Sequence, residues 1–172
     1  MPPEIDQLLS QGDLSELMRA IAEYFNCDRC FFYLRNPQTR LGRVPFCWTR
    51  NSQIPIVYDE DWKPEPQSLP DEDPMFAAAL ATKPSIFVED VQTASADVLN
   101  AKFERENFGH RALIHGHVCY DNQLWGVLQP CIMDQPRPWT AAERGIFTEI
   151  IQRITPIAVA YIKQQSEYPP EE

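Results

Sequence analysis

Residues 111–133, RALIHGHVCYDNQLWGVLQPCIM, constrain the fold more than any other stretch. Two runs rich in aliphatic, β-branched and aromatic residues flank Asp121-Asn122, a pair that tolerates the positive φ angles of a tight turn. The two runs must then pair as antiparallel neighbours. CFFYLRNPQTRLGRVPFCWTR repeats the form, with aromatic-rich runs on either side of a polar turn containing Asn36-Pro37 and Gly42. PSIFVED adds a shorter strand.

Helical periodicity accounts for most of the remainder. GDLSELMRAIAEYFNC pairs Asp13 with Glu16 in a capping-box arrangement, then sets Leu14, Leu17, Met18, Ile21 and Phe25 along one stripe. TAAERGIFTEIIQRITPIAVAYIKQQ opens with Thr140 and Glu143 in the same relation. Its stripe runs through Ile146, Phe147, Ile150, Ile151 and Ile154, and Pro156 is expected to kink it. Asp73-Pro74 starts a short helix, PMFAAALAT, and SADVLNAKFERENFG reads as another that stops at Gly109. Residues 50–73 form a loop rich in proline and acidic side chains, long enough for a lid or a partner surface.

Strands joined as hairpins imply an antiparallel sheet, and two terminal amphipathic helices must cover one of its faces. The expected fold is α/β (α+β): a central antiparallel sheet of about five to six strands, terminal helices on one face, and a loop and middle helices over a pocket on the other. Residues 1–12 read as an N-terminal extension, 13–163 as one domain and 164–172 as a flexible acidic tail. The formal charge of −10, with Arg35, Arg40, Arg43 and Arg50 scattered, excludes binding nucleic acid or an anionic membrane through a basic face. No apolar run is long enough to span a bilayer, and the first residues do not read as a secretory signal. The expected place is the cytoplasm, with the five cysteines as reduced thiols.

IHGHVC sets His115, His117 and Cys119 on one face of a strand, neighbours roughly 7 Å apart at Cα and the outer two roughly 13 Å. An adjacent pair could chelate one metal, but a closed zinc site needs two further ligands, and no spaced partner motif supplies them. No metal site is expected, and the three read as hydrogen-bonded polar groups in a half-buried sheet. Cys27 and Cys30 follow a helix C-terminus, where the dipole raises a thiol pKa, and read as packing residues. Cys47, between Phe46 and Trp48, should alternate with them across the sheet; an iron–sulfur or zinc site built from all three is the competing reading. Tyr58 and Trp62 in the acidic loop are the candidate lid or partner surface. Asp59, Glu60 and Asp61 lack the spacing of a calcium loop.

The strings CDRCFFYLRNP, PSIFVEDV, RALIHGHVCYDNQLWGVL and RPWTAAE, in this order, resemble the GAF domain from about Leu14 to Ile162. They are most similar to its phytochrome and cyanobacteriochrome versions, and RPWTAAE is in the style of cyanobacterial sequences. The resemblance implies a GAF/PAS-like fold with Phe31, Tyr33, Leu113 and His115 lining a pocket. Cys131 falls where phytochromes place a pocket histidine, and His117, Val127 and Gln129 complete the expected lining. Bilin-binding relatives attach their chromophore through a cysteine just before the RALI-type strand; DVLNAKFERENFGHRAL holds only His110 there. Covalent bilin attachment is therefore not expected, which leaves a non-covalent tetrapyrrole or another flat ligand. An ideal two-residue turn pairs His115 with Leu128 and turns Cys131 away from the histidines. The resemblance instead puts His115 and Cys131 in one pocket, which requires a bulge, with Pro130 as its expected cause.

The expected function is that of a stand-alone sensory or regulatory module in signal transduction, not an enzyme and without catalytic residues. It would bind a small ligand, dimerise through its terminal helices and act through a protein partner. Two alternatives stand beside it. One is an assembly factor without ligand that docks through the acidic loop. The other is a thiol-dependent reductase of the free methionine sulfoxide type using Cys119 or Cys131, although EDPMFAAALATKPSIFVEDV lacks the cysteine of that family.

Overall fold

Asp121 and Asn122 take φ of 53° and 59°, closing the tight turn between strands β5 (Ala112–Tyr120) and β6 (Gln123–Ile132). The computed structural model describes residues 1–166. Helices α1 (Pro3–Gln11) and α2 (Leu14–Tyr24) lead into strands β1 (Arg29–Asn36), β2 (Leu41–Thr49) and β3 (Lys63–Pro64). Helices α3 (Leu69–Glu72) and α4 (Pro74–Leu80), strand β4 (Ile86–Val88) and helix α5 (Ala101–Asn107) precede the β5–β6 hairpin, and α6 (Ala141–Ser166) closes the described chain. The strands form one six-stranded sheet, β3-β2-β1-β6-β5-β4, with every neighbouring pair antiparallel.

Side-chain alternation sends each strand's residues to two different cores. Cys30, Phe32 and Leu34 of β1, Ile114 of β5 and Leu128 of β6 meet Leu17 and Ile21 of α2 and Phe147, Ile150 and Ile154 of α6. Both terminal amphipathic helices thus cover the same face, as their stripes require. Phe31, Leu113, Val127 and Cys131 point the other way, beneath α4 and the loops. The central strands β1, β5 and β6 are buried on both faces, whereas β2 is mostly half-buried and β3 is exposed.

The helix caps form as their spacing implies. The Asp13 carboxylate accepts from Glu16 N at 3.0 Å, while Thr140 and Glu143 exchange bonds of 3.0 and 3.1 Å. Three expectations change. Residues 3–11 form a helix that buries Ile5 and Leu9 in the helix-side core. α5 begins only at Ala101, capped by Asn100, because Ser95 Oγ accepts from Asp97 N and holds the preceding segment in a turn. The Gly109 stop stands, with φ of 72°. α6 runs as one element through Pro156. The bulge lies near the turn: Val118 pairs with Gly126 and Cys119 with Leu124, leaving Trp125 as the extra residue. Pro130, the expected cause, sits in regular register opposite Cys30. Residues 167–172 of the expected tail lie outside the described residues. No described helix is long and apolar enough to cross a membrane.

Gly116, between the two histidines, faces α6. A Cβ there would lie 2.6 Å from Phe147 Cζ and 2.9 Å from Leu128 O, and the second of these neighbours is backbone that cannot swing aside. Gly116→Ala should therefore cost about 1–3 kcal/mol through overpacking, read as a lower urea midpoint at unchanged slope.

Candidate ligand pocket

The bulge at Trp125 shifts the hairpin by one residue, and that shift builds the pocket floor. Leu113↔Cys131 and Gly116↔Leu128 keep one register, so His115 lies opposite Gln129, and Gln129 lies opposite Phe31 on β1. Facing residues in such a row have Cβ atoms about 5 Å apart. Above the floor is a cavity of about 200 Å³ bounded below by Phe31, Tyr33, His115, Val127 and Gln129. Val57, Asp59, Leu69, Asp73, Phe76 and Phe108 roof it. At ~30 Å³ per water this is space for about seven waters, or one small ring molecule.

The polar groups are held by specific partners. His117 Nδ1 lies 2.7 Å from the Lys83 carbonyl, and its Nε2 lies 2.8 Å from His115 Nδ1. Burial holds His115 well below the ordinary imidazole pKa, helped by His117, and lowers His117 too, so both are neutral near pH 7. Asp73 caps α4 by accepting from Met75 N and Phe76 N, yet burial and nearby Glu104 push its carboxyl up to about 7. Burial pushes Glu104 up to about 8; its Oε2 lies 3.1 Å from His110 Nε2. The Tyr33 hydroxyl donates to Glu65, which Arg35 grips with two nitrogens at 2.7 and 2.8 Å. Gln129 Oε1 is buried without a hydrogen-bond partner. The cavity lining contains two aspartates and no lysine or arginine.

Of the residues proposed from sequence, Phe31, Tyr33, His115, Val127 and Gln129 come together around this cavity. Leu113 and Cys131 lie fully buried beneath it, and Arg29 Nε donates to Cys131 Sγ at 3.3 Å. His117 belongs instead to a separate surface recess that it shares with Lys83, Ser85 and Cys119. Trp62 packs toward the helix-side core with the Arg43 guanidinium 5.8 Å from its ring centre, so it is no lid tip. Tyr58 is exposed. The lid residues that face the cavity are Val57 and Asp59, while Ile56 and Tyr58 point outward. IPIVYDE carried that alternation. Asp73 was legible only as a helix cap, and nothing in the sequence singled out Glu65 or Glu104.

The cysteines stand apart from this chemistry. Cys27 and Cys30 are buried on the helix side, and burial, rather than the helix terminus, drives both thiols up. Cys47 packs on the pocket side, so it does alternate with them. Burial raises the Cys47 and Cys119 thiols as well. Among the described residues no group of three or more His, Cys, Asp or Glu could hold a metal ion.

A sheet flanked by terminal helices on one face and a lidded pocket on the other is the arrangement the sequence resemblance implies, and the family profile of the GAF domain matches residues 13–155. The chain belongs to the GAF domain family. Among solved structures, the GAF domain of an Acinetobacter phosphoenolpyruvate-protein phosphotransferase superposes with a TM-score of 0.68 at 13% identity, covering 96% of this chain and 94% of that one. The blue-light absorbing form of the PixJ GAF domain from Thermosynechococcus elongatus gives 0.65 at 17%, covering 97% and 94%. The phycoerythrobilin-bound GAF domain of a cyanobacterial phytochrome gives 0.65 at 16%, covering 95% and 94%. At these identities the likeness concerns the fold. No curated protein matches the sequence.

A tetrapyrrole does not fit this GAF pocket with its lid in place. Pockets for drug-sized ligands span about 300–1,000 Å³, against about 200 Å³ here. The lining offers no cation for a bilin's acidic side chains, and residues 95–110 offer no thiol for attachment.

Proposed function

We propose that this chain is a sensory or regulatory GAF module that binds a small molecule in the pocket and reports its presence to a protein partner. The observation that carries this is the buried, unpartnered Gln129 Oε1 on the floor of a lidded cavity. Leaving such an acceptor unmet costs about 1–3 kcal/mol, which a ligand donor would offset. The lid supplies a route outward. Val57 and Asp59 face the cavity, while Ile56 and Tyr58 are 67% and 50% exposed on the outside of the same short segment. A ligand and a partner would therefore touch opposite sides of one strap. Pairing through the terminal helices and a cytoplasmic place belong to the same proposal, as does a role other than catalysis, which is the general habit of GAF domains.

The test is native mass spectrometry of the protein purified from its own host. A small non-covalent adduct that disappears on denaturation is the expected result, and Val127→Trp, which fills the cavity, should abolish it while leaving the circular dichroism unchanged. A ligand-free mass throughout, or an adduct indifferent to Val127→Trp, would reject the pocket as the binding site.

A further inference from the structure

The geometry points to a pocket that selects a small planar molecule carrying an N–H donor and no acidic group, held at His115 Nε2 beside the Gln129 amide. This rests on the ligand-binding function proposed above and adds the chemistry of the ligand. The polarity of the site is set from a distance, by one backbone carbonyl.

The Lys83 carbonyl can only accept, so His117 Nδ1, 2.7 Å away, carries the proton. A neutral imidazole has one N–H, so His117 Nε2 is then a bare lone pair. His115 Nδ1, 2.8 Å from it, must therefore donate. Because burial keeps His115 neutral as well, its Nε2 is left as an acceptor. No hydrogen bond within the described residues uses that nitrogen, and the ring lines the cavity. Gln129, opposite in the sheet, adds an amide whose enclosed Oε1 has no partner. A ligand that offered an acceptor to His115 would force the proton onto Nε2 and set two lone pairs face to face across 2.8 Å. The only escape is a charged His117, which its burial opposes.

The walls narrow the class further. Asp59 and Asp73 are the acidic groups of the lining; Lys63 pairs with Asp59 at 3.1 Å from outside the lining, so an anionic ligand finds no cationic partner within the cavity. Aromatic faces come from Phe31, Phe76, Phe103 and Phe108. In about 200 Å³ these surround one or two fused rings. His115 is thus the residue that contacts the ligand, and His117 is a positioning residue that holds its tautomer.

Three probes of nearly equal shape separate these features. Indole carries the N–H, benzofuran lacks it, and indole-3-carboxylate adds an acid. Calorimetry on the wild-type chain should give indole an affinity at least about tenfold above benzofuran, with indole-3-carboxylate not binding. Nitrogen-15 NMR of the imidazoles, with no probe added, should show His115 and His117 both protonated at Nδ1. His117→Leu should shrink the indole preference to below about threefold and give His115 a mixture of tautomers, as expected when the lock is lost. Benzofuran or the carboxylate binding as well as indole, or His115 protonated at Nε2, overturns the acceptor assignment and leaves the ligand-binding function standing. Failure of all three probes to bind overturns the ligand class assigned here, while the native mass spectrum decides separately whether the pocket holds a ligand.

Discussion

Glu65→Ala should lower the folding stability by about 3–5 kcal/mol, the loss expected when one member of a buried ion pair is removed. Arg35 and Glu65 are 6% and 8% exposed at their side chains, and the guanidinium meets both carboxylate oxygens. Arg35 also donates to the Leu124 carbonyl at 2.8 Å, so it cannot swing out to water without breaking a second bond. Alanine at position 65 leaves a buried cation uncompensated and the Tyr33 hydroxyl without its acceptor. The carboxylate is also one of the polar ties between the 50–73 loop and the sheet, beside Arg29 Nη1 on the Pro55 carbonyl and Asp59 N on the Val44 carbonyl, so the same change should loosen the pocket roof. For a chain of this size the loss corresponds to a Tm drop on the order of 10 °C. Arg35→Met with Glu65→Leu should recover most of it, because replacing both charges removes the desolvation cost along with the attraction. A folding stability for Glu65→Ala, from urea titration, within about 1 kcal/mol of the parent would mean that the pair is solvated in solution and does not pin the loop.

That tie marks the boundary of what the chain reveals when read in one dimension. Periodicity exposes the stripe of Leu17 and Ile21 and that of Phe147 and Ile150, and their shared face follows from the need to bury both. The turn at Asp121-Asn122 is equally legible, because few residues accept its φ angles. The bulge is harder. A one-residue shift reverses which face meets which, and the sequence between the turn and Cys131 allows either register. Resemblance, rather than spacing, favoured the register that brings His115 over to Gln129, and Pro130 was an incorrect cause because the extra residue is Trp125. Trp62 misled for a related reason: its loop position says nothing about which side of the sheet the loop crosses. Glu65, Asp73 and Glu104 acquire their importance only from burial, which depends on long-range packing.

Raising the pH from about 5 to 9 should cost the protein several kcal/mol of stability through Asp73 and Glu104. Burial lifts their carboxyls from 3.8 to about 7 and from 4.5 to about 8, with Glu104 contributing to the rise at Asp73. In the unfolded chain both groups lose their protons by about pH 5, whereas the folded chain keeps them until pH 7–8. Across that window the native state binds more protons than the unfolded one, so stability falls as pH rises. Below the unfolded values, and again above the folded ones, these two groups add no further slope. A tenfold difference in proton affinity between the folded and unfolded chain corresponds to about 1.4 kcal/mol, and water reaching the ionised groups reduces the total. Ionisation of Asp73 would also place a full negative charge in the pocket wall, strengthening its bias against anions in the same range. The contributions separate by substitution. Glu104→Gln should be close to neutral at pH 5 and stabilising at pH 9, because an amide keeps the hydrogen-bonding contact with His110 and never ionises. Asp73→Asn should behave likewise while still accepting from Met75 N and Phe76 N. Urea titrations at the two pH values check this. Parent stability that is level or rising from pH 5 to 9, or a Glu104→Gln protein with the same pH slope as the parent, would show that these carboxyls are already ionised and solvated at neutral pH.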